Sequence, residues 1–132
     1  MFKKISLLTN NQVDFININK EINEFITSEK VSGGTITIFV PHTTAGITIN
    51  EQADPDVVVD IQNELEKIAP YHANFLHSEG NSSAHIKASI MGSSVQIIID
   101  KGKPLLGTWQ GVFFCEFDGP RRRELWMKIM KC

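Results

Sequence analysis

The chain has 132 residues, a length that suits one compact domain spanning residues 1–132. Hydrophobic residues make up 42% and charged residues 21%, values that are ordinary for a globular protein and exclude a disordered, collagen-like or coiled-coil chain. The 13 Lys and Arg against 15 Asp and Glu give a net charge of −2, too balanced for broad binding to nucleic acid or to a membrane surface.

The expected compartment follows from targeting signals and cysteines. No apolar run approaches the ~18 residues of a membrane-spanning helix, and residues 1–5 lack the apolar core of a secretory signal. Two cysteines, Cys115 and Cys132, are too few for a disulfide framework. Cys115 alternates within an apolar segment and is interpreted as a small core residue. We therefore expect a cytoplasmic protein with no membrane partner.

The first part of the chain combines strands with one helix. Residues 2–8 are predicted as a strand, although two lysines interrupt its alternation. A helix follows, capped by Asn17 or Asn19. Its apolar residues recur at helical spacing, at Ile18, Ile22, Phe25 and Ile26. The β-branched segment 35–40 is a predicted strand, and a short strand surrounds Thr48.

A second helix and a polar loop occupy the middle of the chain. The pair Asp54-Pro55 marks the start of the helix, with a capping carboxylate before a proline at the first helical position, and Pro70 closes it. Its predicted buried stripe is Val58, Ile61, Leu65 and Ile68. The polar segment 71–81 is long enough to be a functional loop rather than a simple connection.

The last part of the chain is predicted to be mostly β-structure. A short third helix, capped by Asn81 or Ser82, ends at Gly92. The predicted strands are residues 94–100, 105–117 and 124–131, separated by glycine-containing turns. Strands and helices followed by a β meander indicate an α+β fold with a mainly antiparallel sheet.

Three of the four histidines are candidates for one shared site, although their spacing is not diagnostic of a metal site. His42 follows a strand, and His77 and His85 bracket the boundary between the polar loop and the third helix. Neutral imidazole is the commonest transition-metal ligand, and three protein ligands with one open position are typical of catalytic zinc. Glu79 is then a further ligand or the acceptor that orients a ring. The alternative is a set of surface or core histidines, and His72 is interpreted as an ordinary loop residue.

Two further segments are rich in hydrogen-bonding groups. Thr43 and Thr44 lie in a turn that can bind an oxyanion through hydroxyls and exposed amides, or that satisfies its own backbone. Segment 107–111 places Trp109 and Gln110 between two glycines, which weaken a strand. Either a ligand or partner chain lies against those glycines, or the strand is bulged with Trp109 in the core.

Charged residues complete the set of candidates. Arg121 lies just beyond a turn, and its planar guanidinium suits phosphate or carboxylate. Arg122 and Arg123 are predicted to be solvated, as most charge runs are. Glu51 has no evident structural role and remains a candidate acid–base group.

Taken in order, these segments resemble the YjbQ-like protein family. The likeness covers almost the whole chain, and the ordered set of motifs is specific although each motif is weak by itself. The matching segments are residues 41–46, 50–51, 56–60, 79–81, 84–89, 91–94, 106–110 and 117–121.

The resemblance implies an α+β fold that assembles as a homotrimer, with a histidine cluster that is sometimes metal-occupied. The matching positions are His42, His77 and His85, and zinc is the divalent metal expected there. It also implies a secondary activity of the thiamine-phosphate-synthase type, which joins a pyrimidine pyrophosphate to a thiazole phosphate and releases pyrophosphate.

The resulting hypothesis is a small enzyme acting on a phosphorylated or heterocyclic substrate. A metal on the three histidines polarises a phosphate oxygen, and Glu79 or Glu51 moves a proton. Trp109 offers an aromatic face to a heterocycle. The full set of predicted substrate-binding residues is Thr43, Thr44, Asn81, Thr108, Trp109, Gln110 and Arg121. The alternative is a non-catalytic trimer that holds a metabolite or a metal.

Overall fold

The computed structural model describes residues 1–132 as two antiparallel β-sheets and three α-helices, which confirms the α+β prediction. The strands are β1 (Phe2–Leu8), β2 (Asp14–Asn17), β3 (Gly34–Phe39), β4 (Ala45–Glu51), β5 (Ser94–Asp100), β6 (Lys103–Pro104), β7 (Gln110–Glu116) and β8 (Arg122–Lys131). The helices are α1 (Asn19–Ser28), α2 (Pro55–Ile68) and α3 (Ser82–Met91). None of them has the length and apolar character needed to cross a membrane.

The larger sheet has five strands in the order β1-β8-β3-β5-β6, every pair antiparallel. Side chains alternate between its two faces. The inner face is apolar and buried, with Ile36 and Ile38 on β3 and Leu125, Met127 and Ile129 on β8. The outer face carries the exposed residues of the same strands, so this sheet is covered on one side only.

The smaller sheet has the order β2-β7-β4, and its central strand β7 is buried on both faces. Val112 and Phe114 belong to the core between the two sheets. Phe113, Cys115 and Phe117 belong to a second core that includes residues of α2 and α3. The prediction that Cys115 is a core residue is confirmed, and burial raises the pKa of its thiol.

The helix starts follow local hydrogen bonds. The Asn17 side chain accepts from the Asn19 amide at 2.9 Å at the start of α1. The Asp54 carboxylate accepts from the Asp56 amide at 2.9 Å, which confirms the predicted cap of α2. The predicted stripe of α2 is wrong at its end, since Ile68 is 65% exposed.

Strand boundaries differ from prediction in four places. The short strand β6 lies where a turn was predicted, and β8 begins at Arg122 rather than at residue 124. Strand β2 was not predicted, because four residues that include polar ends carry too little alternation and depend on pairing with β7. The predicted strand 105–117 is broken by a turn in which the Gln110 amide donates to the Gly107 carbonyl at 3.1 Å. The Gln110 side chain also accepts from the Gly107 amide at 2.8 Å, so β7 begins only at Gln110.

Candidate functional site

A polar cleft of about 520 Å³ lies where β3 and β7 end and β8 begins, next to the start of α3. Apart from Pro41, no apolar residue lines this cleft. Its lining residues are Pro41, His42, Thr43, Thr44, His77, Glu79, Asn81, His85, Asp118, Arg121 and Arg123. The fold therefore brings together all three predicted metal-binding histidines and four of the seven predicted substrate-binding residues.

His42 is held in place through its ring. The Glu124 amide donates to His42 Nε2 at 2.9 Å, so the neutral ring carries its proton on Nδ1. Burial lowers the pKa of His42, and the positive charge of Arg123 lowers it further. His42 is therefore a neutral imidazole near pH 7.

His77 and His85 come from different segments and face each other. Their ring centroids lie 5.5 Å apart in an edge-to-face arrangement. His77 and Glu79 are exposed on the polar loop, while His85 is half-buried in the first turn of α3. The two rings and Glu79 leave several nitrogen and oxygen atoms open to a ligand in the cleft.

The three histidines do not converge as a metal-ligand set. No group of three or more His, Cys, Asp and Glu side chains in residues 1–132 is arranged to hold a metal ion. One reason is that His42 Nε2 already accepts a backbone hydrogen bond. The donors as they stand do not fit the zinc site that the resemblance implies.

A buried ion pair lies behind one wall of the cleft, to which Arg123 contributes. Arg123 is 4% exposed and Glu116 fully buried, and Arg123 Nε donates to Glu116 Oε1 at 2.8 Å. A second guanidinium nitrogen donates to the other carboxylate oxygen and to Thr44 Oγ1, the latter at 2.8 Å. The prediction that Arg123 is solvated is wrong, because it faces the inner side of β8 with Leu125 and Met127.

Glu116 stays ionised in this environment. Its burial raises the pKa of the carboxyl, but hydrogen bonds from Arg123, the Asp118 amide and Thr9 outweigh that effect and lower the pKa overall. The Thr9 hydroxyl donates at 2.8 Å and the Asp118 amide at 3.0 Å. This network ties the end of β1 to β7 and β8 beneath the cleft.

Asp118 anchors the polar loop at both ends. Its two carboxylate oxygens accept from the Tyr71 hydroxyl at 3.2 Å and from Asn81 Nδ2 at 3.0 Å. The same carboxylate pairs with the half-exposed Arg121 at 3.2 Å. Asn81 Oδ1 is buried and has no hydrogen-bond partner. Sequence reasoning missed Asp118 because its turn position suggested only a structural role.

The remaining predicted site residues lie elsewhere. Gln110 begins β7 and Glu116 ends it, so the two ends are about 20 Å apart at ~3.4 Å per residue. Thr108 and Trp109 precede Gln110, and Trp109 is 62% exposed rather than in the core. Glu51 pairs with Gln110 in the sheet. The chain does not bring these four predicted site residues together with its own histidines.

Acid pH should weaken the fold through His42. The pKa of His42 is lower in the folded chain than in the unfolded chain. As the pH falls through about 6.5, the unfolded chain therefore binds a proton at His42 more readily than the folded chain does, and the free energy of unfolding decreases. We expect a His42→Asn variant to lose part of the decline in unfolding free energy that the unsubstituted protein shows between pH 7 and 5. His72→Asn, on the exposed loop, is the control. Equal slopes in the two variants would contradict this account.

Comparison with known proteins decides the family. The family model described as UPF0047 protein YjbQ-like matches residues 3–132. A UPF0047 protein of Methanocaldococcus jannaschii is 55% identical over 130 residues, which cover 98% of this chain and 94% of the relative. YugU of Bacillus subtilis is 44% identical, with 98% and 99% covered. The chain belongs to the YjbQ-like family.

Solved structures of YjbQ-like proteins share this fold. A YjbQ/UPF0047 family protein of Clostridium acetobutylicum has a TM-score of 0.95 at 54% identity, covering 97% of this chain and 99% of its own. A protein of Sulfolobus solfataricus reaches 0.95 at 27% identity, with 100% and 97% covered. The YjbQ-like relatives thus share the overall fold of this chain, and their names state no reaction.

Proposed function

We propose that the cleft binds a small phosphate-bearing molecule and that the chain acts on it as an enzyme. The observation that carries this proposal is the lining of the cleft, which gathers histidines, threonines and Arg121 and has Pro41 as its one apolar residue. A phosphate needs several hydrogen-bond donors and positive charge at one place. The Asp118 carbonyl and carboxylate each accept one hydrogen bond from the Arg121 guanidinium. The remaining N–H groups of Arg121 are left to bind an anion.

The proposed roles follow from position in the cleft. Arg121 and the exposed Thr43 hold the phosphate, and neutral His42 offers its Nδ1 proton as a hydrogen-bond donor. Glu79 moves a proton, since it is the cleft carboxylate without an ion-pair partner. Glu51 lies outside the cleft and has no part in this proposal.

Binding of inorganic phosphate tests the proposal directly. We expect Arg121→Met to weaken phosphate binding about ten- to a hundredfold in isothermal titration calorimetry, the loss typical of a hydrogen bond to a charged group. Arg122→Met is the matched control, because Arg122 is an exposed arginine outside the cleft. Equal affinities of the two variants, or no phosphate binding by the unsubstituted chain, would overturn the proposal.

The non-catalytic alternative predicts the same cleft and differs at Glu79. If the chain is an enzyme, Glu79→Gln abolishes turnover of a phosphate ester and leaves phosphate binding intact.

The narrower proposal is thiamine-phosphate-synthase chemistry, tested with a pyrimidine pyrophosphate and a thiazole phosphate as joint substrates. Phosphate binding without product would reject only the narrower proposal.

We keep zinc binding as a proposal. Because the histidines as placed do not form a zinc site, it requires the exposed polar loop to change its conformation. His77 and His85 face each other at 5.5 Å between ring centroids, and a bound zinc ion would supply Lewis-acid polarisation of a phosphate oxygen. Elemental analysis beside a His77→Ala/His85→Ala double variant tests it. About one zinc per chain, lost in the variant, is the expected result.

We also propose that the chain assembles as a homotrimer. The smaller sheet has two edge strands, β2 and β4, and edge strands favour pairing or cover. Trp109 and Leu76 are large, exposed apolar side chains of the kind that interfaces cover. Light scattering should give three times the chain mass of 14.8 kDa.

A further inference from the structure

The polar cleft continues into a second lobe of about 480 Å³. The two lobes share three lining residues, His42, Thr43 and His85. The other walls of the second lobe are small and uncharged, formed by Ala45, Ala88, Ser89, Gly92 and Ser93. None of the residues that line it is an Asp, Glu, Lys or Arg, whereas the polar lobe has four such residues.

The walls of the second lobe are held by backbone hydrogen bonds. The Gly92 carbonyl accepts from the Ile47 amide at 3.0 Å, and the Ser93 carbonyl accepts from the Val40 amide at 2.8 Å. Gly92 and Ser93 directly follow α3, and these bonds join them to β4 and to the residue that follows β3. Ser89 donates its hydroxyl to the His85 carbonyl at 2.9 Å within the helix. The lobe is thus part of the packed fold and does not depend on the exposed loop.

We infer that the ligand is a phosphate monoester whose compact, uncharged organic group fills this second lobe while its phosphate lies in the polar lobe. This inference rests on the proposed function. A charged group in the second lobe would lose hydration without gaining a partner, because no side chain of opposite charge lines it. A volume of about 480 Å³ lies within the range of small-molecule sites.

The shared residues set the position of the ester linkage. His42 and His85 line both lobes, so the bridging oxygen between phosphate and organic group lies beside these two imidazoles. The small, uncharged walls of the second lobe then contact the organic group. The Ser93 hydroxyl is available to its neutral polar atoms, and the Ser89 hydroxyl, which donates to the His85 carbonyl, is available as an acceptor only. The second lobe determines which ester is bound, and the polar lobe determines that a phosphate is bound.

Calorimetric titration with three probes tests this inference. Phenyl phosphate carries an uncharged group, phosphoethanolamine carries an ammonium group, and inorganic phosphate carries neither. We expect phenyl phosphate to bind at least about tenfold more tightly than phosphate, because its ring is removed from water. Phosphoethanolamine should bind no more tightly than phosphate.

Two variants that fill the second lobe provide the structural arm. Ser93→Leu and Ser89→Leu change exposed positions, so folding is expected to be retained. Each should reduce the affinity for phenyl phosphate to that for phosphate while leaving phosphate binding unchanged. The matched control is Ser94→Leu, an exposed neighbour outside the lobe, which should behave like the unsubstituted chain.

The outcomes separate the inference from the proposed function. If phosphate binds in an Arg121-dependent way but phenyl phosphate gains nothing, or if both Leu variants retain the gain, the second lobe is not the site of the organic group. If phosphate does not bind at all, the proposed function fails and the inference fails with it. A tenfold gain that only the lobe-filling variants abolish establishes the assignment.

Discussion

Replacing Arg123 by Met should lower the free energy of unfolding by about 3–5 kcal/mol. The substitution leaves Glu116 ionised and fully buried, without the guanidinium that donates to both of its oxygens. It also removes the hydrogen bonds to Thr44, which hold the start of β4 beside the cleft. Denaturant unfolding followed by circular dichroism measures the loss.

Arg122→Met supplies the comparison for this substitution. Arg122 is the neighbouring arginine, exposed and on the outer face of the sheet opposite Leu8, so its loss should change stability by no more than about 0.5 kcal/mol. A Glu116→Leu/Arg123→Met double variant should recover much of the stability, because no unpaired charge is left buried. If Arg123→Met and Arg122→Met are equally stable, the ion pair does not stabilise the fold.

Gly46→Ala should destabilise the fold by about 1–3 kcal/mol and weaken phosphate binding. A Cβ at Gly46 would lie 2.8 Å from the Gly92 carbonyl oxygen and 3.0 Å from Met91 Cβ. Both neighbours belong to the end of α3, so the helix must move away from β4. Since α3 carries His85 and β4 follows His42, that movement widens the cleft and separates its imidazoles.

Gly33→Ala is the matched control for the crowding at Gly46. The atom nearest to a Cβ at Gly33 is the Ile99 carbonyl oxygen at 3.9 Å, an ordinary contact. We expect unchanged phosphate binding and a stability equal to or slightly above that of the unsubstituted chain, because alanine reduces the freedom of the unfolded state. A Gly46→Ala variant as stable and as tight a binder as Gly33→Ala would show that α3 is not packed as closely as the structure indicates.

Local sequence patterns predicted most of the elements and the chemistry of the cleft. The Asp54-Pro55 pair placed the start of α2 correctly, because a cap needs only neighbouring residues. The β-branched residues of β3 and β5 predicted both strands, because strand propensity also depends on neighbouring residues. The motifs around His42 and His85 pointed to one site, and the fold does place them along one cleft.

Tertiary structure decided what depends on pairing between distant segments. Strand β2 forms because its backbone pairs with the edge of β7. The sequence of its four residues does not by itself predict that pairing. Trp109 and Glu51 lie at one end of β7 and the histidines at the other, a separation that follows from the direction of the strand. No local pattern could distinguish that arrangement from a single shared site.

Arg123 shows the boundary between the two kinds of information. Its place in the strand gives it the same face as Leu125 and Met127, a period-2 signal that was present in the sequence and outweighed by its two arginine neighbours. What makes the inward position stable is Glu116 on β7, seven residues away and in the other sheet. The sequence alone determined the family, the main strands and helices and the polar residues of the site. Only the packing of two sheets against each other decided which of those residues meet, because a buried charge is tolerated only where the fold supplies its partner.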